Sequence, residues 1–500
     1  MTPVPAILSI DQGTTGSTAM LVARDGRVLA RFYSEFTQYF PRPGWVEHDA
    51  GEIWEVTLAV CRKVLEAAGA EARVEGVGIT NQRETVVLWD RESLEPVHRA
   101  IVWQDRRTVS ICRELREGGW EGEIRRRSGL LLDPYFSGTK LTWLFRNHPE
   151  LKGRAEAGEL AAGTVDSWLM ARLTRGAAHA TDHTNASRTL LYDLSSRDWH
   201  PELLALFEVP EGILPEVLPS SHVFGLTDGA ELGLEVPVAG VAGDQQAALF
   251  GQGCWTAGLA KNTYGTGAFL LLHTGDARIE SRSGLLTTAA CDAGGRLAYA
   301  LEGSIFVAGA AVQWLRDGLG ILDSAEGSEV LARSLGSNDG VYFVPAFVGL
   351  GAPHWDPDAR GTLVGLTRGT TKAHLARAAL EAMAYSTADV LQAMEGDSGM
   401  VTRELRVDGG AAGNDWLMQF QADVLGIPVR RPAMVDTTAL GAAGLAGLAT
   451  GVWRDASELL AAFGEASVFT PSMGAGQRAS VKTGWRRALD TATAWSGWKE

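Results

Sequence analysis

Near its start the chain reads Asp11-Gln12-Gly13-Thr14-Thr15-Gly16, flanked by apolar segments at 6–10 and 18–22. Two apolar segments joined by a short turn predict a β-hairpin. A third apolar segment at 28–32 extends the hairpin into a meander. Because the turn is rich in Gly and Thr, its backbone N–H groups and hydroxyls are accessible at the tip. It is therefore a candidate phosphate-binding turn.

The second half of the chain contains a similar turn, Asn262-Thr263-Tyr264-Gly265-Thr266-Gly267, between two apolar segments. After the first meander, helical periodicity at 49–69 and an apolar strand at 74–80 indicate an α/β domain. Further helix and strand patterns repeat this alternation at 304–317, 341–345, 372–394, 404–407 and 414–425. Because 500 residues exceed one ordinary core, we predict two related α/β domains, 1–252 and 253–500, with a large cleft between them.

The composition argues against several classes of protein. With 60 Asp and Glu against 45 Lys and Arg, the net charge is −15, which disfavours nucleic acid or an anionic membrane as partner. The longest run of small residues, 439–449, is too short to span a bilayer. Residues 1–6 lack the charged region of a secretory signal, and the four cysteines lack disulfide or metal spacing. We expect reduced thiols and a cytoplasmic protein without an integral membrane segment.

Polar clusters follow two predicted strands of the first domain. Asp11 ends the first strand beside the phosphate-binding turn, where a carboxylate can hold magnesium; an Asp that only forms the turn is the alternative. Arg83 and Glu84 follow a buried strand, at the end where α/β ligand sites collect, and can bind hydroxyl groups. Solvated charges are the competing interpretation of this pair. Trp103 lies in a further polar cluster and is either an aromatic wall or a core residue.

Two further segments lie at predicted strand ends. Asp244 follows the apolar segment 236–241 and precedes a helical segment, so it faces the predicted cleft. A carboxylate there can accept the proton of an attacking hydroxyl, whereas a helix N-cap is the alternative. The turn Gly409-Gly410-Ala411-Ala412-Gly413-Asn414 suits an adenosine or phosphate group, although such turns are often structural. The sequence lacks a Walker-type Gly-x-x-x-x-Gly-Lys-Ser/Thr segment, so another phosphate-binding architecture is required.

Together these segments resemble the FGGY carbohydrate kinase family, in particular its members that phosphorylate glycerol. The resemblance covers essentially the whole chain, through the ordered motifs Asp11-Gln12-Gly13-Thr14-Thr15, Gly78-Ile79-Thr80-Asn81-Gln82-Arg83-Glu84-Thr85, Pro134-Tyr135-Phe136-Ser137-Gly138-Thr139-Lys140, Thr181-Asp182-His183-Thr184-Asn185-Ala186-Ser187-Arg188, Gly243-Asp244-Gln245-Gln246 and Asp408-Gly409-Gly410. It implies two actin-like, ribonuclease-H-like α/β domains, with an active-site cleft between them where ATP and substrate meet. The implied reaction converts glycerol and ATP into glycerol 3-phosphate, and the implied assembly is a homodimer or homotetramer.

The resemblance also implies roles for individual residues. The implied substrate-binding residues are Arg83, Glu84, Trp103, Tyr135, Asp244, Gln245 and Phe269. The implied nucleotide-binding residues are Thr14, Thr15, Gly16, Thr266, Gly267, Gly309, Gln313, Gly410 and Asn414. Asp244 matches the general base, and Asp11 and Asp244 are the implied Mg²⁺ residues. Such a set suits a triol, because an Arg and two carboxylates can pair three hydroxyls while aromatic rings cover the carbon face.

Two positions depart from the family pattern. Members that phosphorylate glycerol commonly carry an Arg shortly after the first turn, directed toward the phosphates, and this chain has Thr18. Some bacterial members carry a Gly-x-Arg element that binds fructose 1,6-bisphosphate, and the matching position here is Glu235. We therefore expect neither that phosphate contact nor that regulation in the usual form.

Two alternative functions stay open from the sequence. The nearest is a kinase of another polyol or ketose in the same family, from which the segment Gln82-Arg83-Glu84-Thr85 and Trp103 distinguish this chain. The other is an actin-like or chaperone-like ATPase, which would hydrolyse ATP without a small alcohol.

Overall fold

The computed structural model describes residues 3–497. Up to Gly251 the strands are, in chain order, β1 (Val4–Gln12), β2 (Gly16–Ala23), β3 (Val28–Glu35), β4 (Gln38–Tyr39), β5 (Glu47–His48), β6 (Ala72–Asn81), β7 (Val86–Asp90), β8 (Ala100–Ile101), β9 (Leu160–Thr164), β10 (Ala180–Asp182), β11 (Tyr192–Asp193), β12 (Asp198–Trp199), β13 (Glu216–Leu218), β14 (Ser221–Leu226) and β15 (Pro237–Gly243). The α-helices of this part are α1 (Ala50–Ala68), α2 (Val109–Glu117), α3 (Glu121–Ser128), α4 (Ser137–Asn147), α5 (Pro149–Glu156), α6 (Val165–Leu173), α7 (His183–Ala186), α8 (Pro201–Leu206), α9 (Gly229–Leu232) and α10 (Asp244–Gly251).

The remainder of the chain has the same mixture of strands and helices. Its strands are β16 (Ala260–Tyr264), β17 (Ala268–Gly275), β18 (Leu286–Cys291), β19 (Leu297–Ile305), β20 (Tyr342–Val344), β21 (Thr362–Val364), β22 (Leu405–Asp408), β23 (Val429–Arg431) and β24 (Ser467–Phe469). Its α-helices are α11 (Gly309–Gln313), α12 (Gly327–Arg333), α13 (Lys372–Ser398), α14 (Asp415–Leu425), α15 (Thr437–Thr450), α16 (Ala456–Ala462) and α17 (Ala475–Ser496).

The first main sheet has the strand order β14-β15-β6-β1-β2-β3. Strands β1, β2 and β3 form the predicted antiparallel meander. Strand β6 is parallel to β1, and β15 is parallel to β6, with Gln12 opposite Asn81 and Asn81 opposite Gly243. Because the carboxyl ends of β1, β6 and β15 meet at one edge, the residues that follow these three strands are brought together there.

The second main sheet repeats this topology, with the strand order β18-β19-β17-β16-β22-β23-β24. Strands β16, β17 and β19 are antiparallel neighbours, with the intervening β18 at the edge beside β19. Strands β22 and β23 continue the sheet in parallel from β16. An antiparallel strand closes the far edge of each sheet, β14 in the first and β24 in the second. The repeat confirms the prediction of two related α/β units with ribonuclease-H-like topology.

Helix α15 joins the two units. In the chain it lies between β23 and β24 of the second sheet, but it packs on the first sheet, where Ser9 Oγ donates to the carbonyl oxygen of Ala439 at 2.6 Å. Its glycines allow close backbone contact, since a Cβ at Gly441 would lie 1.9 Å from the carbonyl oxygen of Ala247 in α10. The small-residue run at 439–449 is thus part of a helix interface between the two units.

A smaller sheet, β4-β5-β8-β7-β9, lies beside the first unit with helices α2, α4 and α5 against it. The segments after β8 and before α4 carry Trp103 and Tyr135. One predicted helix was wrong at its start, because β19 extends to Ile305 and α11 begins only at Gly309. Among residues 3–497 no helix is both long and apolar enough to cross a membrane.

Candidate active site

The first Gly and Thr turn is held tightly by its own backbone and by β3. The N–H of Gly13 donates to the carbonyl oxygen of Gly16 at 2.9 Å. A Cβ at Gly16 would lie 2.5 Å from the carbonyl oxygen of Ser34, so only glycine fits there. Thr15 is exposed at the tip, and its hydroxyl lies 3.4 Å from the Tyr33 hydroxyl. The turn therefore has the open, small-residue geometry predicted for it.

An aromatic wall connects this turn to the smaller sheet. Trp103 Nε1 donates to Thr14 Oγ1 at 2.9 Å, and the Trp103 ring meets Tyr135 edge-on at 5.6 Å between centroids. Lys140 holds the backbone around Tyr135, because its Nζ donates to the backbone carbonyls of 134–136 at 2.5 to 3.1 Å. Burial lowers the pKa of Lys140 to about 7. Trp103 is thus a half-buried link between the two predicted binding regions, not a core residue.

A cluster of buried charges lies at the ends of β6 and β19. Arg83 donates from both Nη atoms to Glu302, at 2.6 and 3.1 Å, and Arg188 Nη2 donates to the same carboxylate at 3.1 Å. Burial alone would raise the pKa of Glu302, but Arg188 and Arg83 outweigh it and lower that pKa to about 2. Arg188 Nε in turn donates to Glu84 Oε1 at 2.6 Å. Arg83 and Glu84 are therefore buried and paired, and the interpretation as solvated charges was wrong.

The backbone at Glu84 is also unusual, with a left-handed φ of 62°. Few residues other than glycine adopt this conformation, and such strain collects at functional sites. Burial raises the pKa of Glu84, and Arg188 and Arg83 oppose that rise. Sequence reasoning assigned no role to Arg188 or Glu302. The available signals were that Arg188 ends a family motif and that Glu302 interrupts the apolar strand β19.

Asp244 is the first residue of α10, directly after β15. Its Oδ1 lies 3.1 Å from Arg83 Nε and accepts the N–H of Gln245 at 2.7 Å. The N-cap residue of α10 is Gly243, so the alternative in which Asp244 caps the helix is wrong. The Asp244 side chain is 34% exposed against 2% for Arg83, so this carboxylate is the accessible end of the buried charge cluster.

Asp11 lies opposite Thr18 at the end of β1, near two other carboxylates. Burial, together with the negative charges of Asp244 and Asp436, raises the pKa of Asp11 to about 7. Arg31 opposes this effect and forms an ion pair with Asp436 at 3.1 Å. Three carboxylates, two from the first unit and Asp436 from the second, thus lie near one another beside the phosphate-binding turn.

Gln245 and Phe269 complete the predicted substrate set at the boundary between the units. Gln245 Oε1 accepts from Lys261 Nζ at 2.5 Å, and Lys261 belongs to β16 of the second unit. Phe269 lies opposite Thr263 on β17 and is half-buried. No role was predicted for Lys261.

The second Gly and Thr turn packs against the start of α11. The N–H of Gly265 donates to the carbonyl oxygen of Gly267 at 2.8 Å, and the N–H of Gly309 donates to that of Gly265 at 3.0 Å. A Cβ at Gly309 would lie 2.6 Å from the Gly265 oxygen, and one at Gly267 would lie 2.4 Å from the Ile305 oxygen. Thr266, Gly267 and Gly309 therefore form one compact group.

The turn after β22 lies beside this group. Gly409 has a φ of 83°, and a Cβ there would lie 2.3 Å from the carbonyl oxygen of Tyr264, so this turn abuts the end of β16. Gly410 faces open space, with no atom within 4 Å of a Cβ built on it. Asn414 caps α14 with its side chain, and Gln313 is exposed at the end of α11. The second unit thus presents glycine-rich backbone at the carboxyl ends of β16 and β22.

Comparison with protein families identifies the class. Residues 6–251 match the N-terminal domain, and residues 260–450 the C-terminal domain, of the FGGY family of carbohydrate kinases. The chain belongs to this family and is an enzyme, a phosphoryl-transferring kinase of two actin-like, ribonuclease-H-like domains.

Individual members of the family are similar to this chain over nearly its whole length. The chain is 57% identical over 492 residues to a glycerol kinase of Alkalilimnicola ehrlichii, covering 98% of this chain and 99% of that protein. It is similar to the crystal structure of Plasmodium falciparum glycerol kinase with ADP, with a TM-score of 0.94, 33% identity and 98% of each chain covered. It is also similar to xylulose kinase from Rhodospirillum rubrum, with a TM-score of 0.87, 25% identity and 99% and 100% of the two chains covered.

Proposed function

We propose that this protein catalyses the ATP-dependent phosphorylation of glycerol to sn-glycerol 3-phosphate. The observation that carries the proposal is Asp244, a partly exposed carboxylate held by buried Arg83 beside the phosphate-binding turn. The extensive identity with proteins named glycerol kinase supports the choice of glycerol.

The proposed glycerol-binding residues combine charge with aromatic surface. They are Arg83, Glu84, Trp103, Tyr135, Asp244, Gln245 and Phe269. Glycerol has three hydroxyls on a short carbon chain, so carboxylates and an amide can pair the hydroxyls while Trp103 and Tyr135 cover the carbon atoms.

Asp244 is the proposed general base. A primary alcohol must lose its proton as the bond to phosphorus forms, and Asp244 can accept that proton. Because Arg83 and the N–H of Gln245 both hold Oδ1, the carboxylate is fixed in direction while its other oxygen stays available. The remaining contribution of the protein is alignment of the alcohol with the terminal phosphate.

The nucleotide is proposed to bind along glycine-rich turns from both units. The residues are Thr14, Thr15, Gly16, Thr266, Gly267, Gly309, Gln313, Gly410 and Asn414. Small residues let phosphate oxygens approach backbone N–H groups, and Gly410 leaves open space beside the group formed by Thr266, Gly267 and Gly309.

Asp11 and Asp244 fit a magnesium ion that arrives with ATP. Within the described residues, no group of three or more His, Cys, Asp or Glu side chains could hold a metal ion alone. Mg²⁺ usually binds one or two carboxylates together with phosphates and water, so two carboxylates suffice. The raised pKa of Asp11, caused by burial and by Asp244 and Asp436, indicates negative charge that a cation would relieve. The ion would supply neutralisation of phosphate charge.

We further propose a boundary between the domains near residue 252, a cytoplasmic location, and assembly as a homodimer or homotetramer. The boundary is supported by the family domains, which end at 251 and resume at 260. The assembly rests on the family resemblance alone.

The decisive experiment is ATP turnover with and without glycerol. We expect strict dependence on glycerol and formation of glycerol 3-phosphate. Equal ATP hydrolysis without alcohol would favour an actin-like ATPase. A panel of polyols and ketoses in the same assay separates glycerol from the substrates of other family members, such as xylulose, and a clear preference for a longer sugar would contradict the proposal.

A further inference from the structure

Lys261 is a buried cation between the two units. It lies on β16 with no exposed surface, and its Nζ donates to Gln245 Oε1 at 2.5 Å and to Thr263 Oγ1 at 2.7 Å. Gln245 belongs to α10 of the first unit, next to Asp244. The Lys261 side chain therefore reaches from the second sheet to a proposed substrate-binding residue of the first.

The chemistry of an ammonium group fixes the orientation of the Gln245 amide. A protonated lysine only donates hydrogen bonds, whereas an amide has one accepting and one donating end. The oxygen of Gln245 must therefore face Lys261, and its NH₂ group must point elsewhere. Among residues 3–497, Gln245 Nε2 has no hydrogen-bond partner and is not sealed from solvent. This free donor belongs to the residue that follows Asp244 in α10.

Burying an ammonium group is costly unless charges and hydrogen bonds offset the cost. Burial lowers the pKa of Lys261 to about 8, while Asp408 and Asp244 oppose that change. An apolar side chain would fill the same space without this cost. The lysine must therefore supply something that packing does not.

We propose that Lys261 is a positioning residue for the alcohol substrate, because it holds the oxygen of Gln245 and so leaves the amide of Gln245 to offer a donor to a hydroxyl whose proton Asp244 accepts. This inference rests on the proposed function. A substrate hydroxyl has one proton to donate and lone pairs that accept, so such a pair binds it from both sides. With the amide reversed, the substrate hydroxyl would face two acceptors, Gln245 Oε1 and the Asp244 carboxylate. Because it has one proton, it could donate a hydrogen bond to only one of them.

The test is Lys261→Met, measured both in the wild-type chain and in a Gln245→Ala background. We expect the KM for glycerol to rise about tenfold or more in the wild-type chain, with the KM for ATP nearly unchanged. In the Gln245→Ala background the same substitution should add almost no further loss, because its effect passes through Gln245. Equal losses in the two backgrounds, or an unchanged glycerol KM, would overturn the inference.

Two companion variants keep the test decisive. Thr263→Val removes the other acceptor of Lys261 and leaves the Gln245 contact, so the glycerol KM should stay near that of the wild type. If Lys261→Met does not fold, Gln245→Glu retains a partner for Lys261 but replaces the free NH₂ with a second acceptor. A normal glycerol KM for Gln245→Glu would then overturn the inference. If the wild-type chain shows no glycerol-dependent ATP turnover, that result contradicts the proposed function itself.

Discussion

The substrate side and the nucleotide side of the site are built in opposite ways. The substrate side depends on buried charges, with Arg83, Arg188 and Glu302 holding one another by hydrogen bonds of 2.6 to 3.1 Å. The nucleotide side depends on backbone, because Gly265, Gly267, Gly409 and Gly410 follow the ends of β16 and β22.

This difference reflects what each side must recognise. A small neutral alcohol offers only hydroxyls, so recognition needs side chains whose donors and acceptors are fixed in direction. Phosphates carry charge and can be bound by backbone N–H groups that approach closely. Substitutions of the paired charges on the substrate side should therefore disturb recognition and stability together, whereas substitution of a nucleotide-side glycine that faces open space, such as Gly410, should affect ATP alone.

The largest expected effect is on the chemical step. Asp244→Asn retains the shape of the side chain but removes the proton acceptor, so kcat should fall by about 10² to 10⁴, with a smaller change in glycerol affinity. Asp49→Ala is the control, because Asp49 caps α1 by accepting the N–H of Gly51 at 2.9 Å. That control should lose about 1 kcal/mol of stability with kcat intact. A near-normal kcat for Asp244→Asn, with a lowered melting temperature, would refute the catalytic role.

The buried charge cluster should contribute to stability in a pH-dependent way. Glu302→Gln removes the charged partner that Arg83 and Arg188 share. At pH 7 the free energy of unfolding of this variant should be lower than that of the wild-type chain by about 3 kcal/mol. Because the pKa of Glu302 falls from 4.5 to about 2 on folding, its contribution is complete above about pH 5 and is lost as the pH falls toward 2. Urea unfolding at pH 7 and pH 3 measures this difference.

A surface ion pair supplies the control for that measurement. Glu458 also pairs with an arginine, Arg24, at 2.8 Å, but on the surface. Glu458→Gln should therefore change stability much less than Glu302→Gln does. Equal effects of the two substitutions would contradict the special role of the buried cluster.

Recognition of glycerol should weaken when either charge of the Arg83-Glu84 pair is removed. Arg83→Ala and Glu84→Ala should each lower kcat/KM for glycerol by roughly ten- to a hundredfold, since a hydrogen bond to a charged group contributes about 1.5–3 kcal/mol. Arg83→Lys should recover little, because an ammonium cannot make the two-pronged contact with Glu302. Wild-type kcat/KM in Arg83→Ala or Glu84→Ala would show that the residue does not bind the substrate.

The nucleotide side offers a pair of adjacent glycines with different expected effects. Gly410→Ala places a methyl group in open space, so it should raise the KM for ATP by roughly tenfold or less without changing the melting temperature. Gly409→Ala should destabilise the fold, because Gly409 has a φ of 83° and its Cβ would meet Tyr264. An unchanged ATP KM in Gly410→Ala would exclude this turn from the nucleotide site.

The last prediction is that a sugar bisphosphate has no effect on activity. Glu235 is exposed and negatively charged, so it should repel a sugar bisphosphate rather than bind it. We expect no inhibition by fructose 1,6-bisphosphate at millimolar concentration. Saturable inhibition that disappears when residue 235 is changed would contradict this expectation.

Sequence reasoning predicted the strand ends that carry the candidate site, because there the signal is local. The strand ends at Asp11, Arg83 and Asp244 were predicted from apolar segments followed by polar residues, and the parallel order of β1, β6 and β15 brings these ends together. It did not find Glu302, a single charged residue in the otherwise apolar strand β19, or Lys261, which is followed by the polar residues Asn262 and Thr263 in β16. The role of such a residue is not recognisable until its hydrogen-bond partner in the other unit is known.

By itself, the sequence determined the two-unit α/β architecture, the glycine-rich turns and the membership of a kinase family. These features depend on hydrophobic periodicity, turn chemistry and motifs that lie within short segments. Only the tertiary structure decided that Arg83 is paired with Glu302, 219 residues away, and that Gln245 is oriented by Lys261. The physical reason is that burying a charge requires a partner at hydrogen-bonding distance, and the fold alone determines which distant residue supplies it.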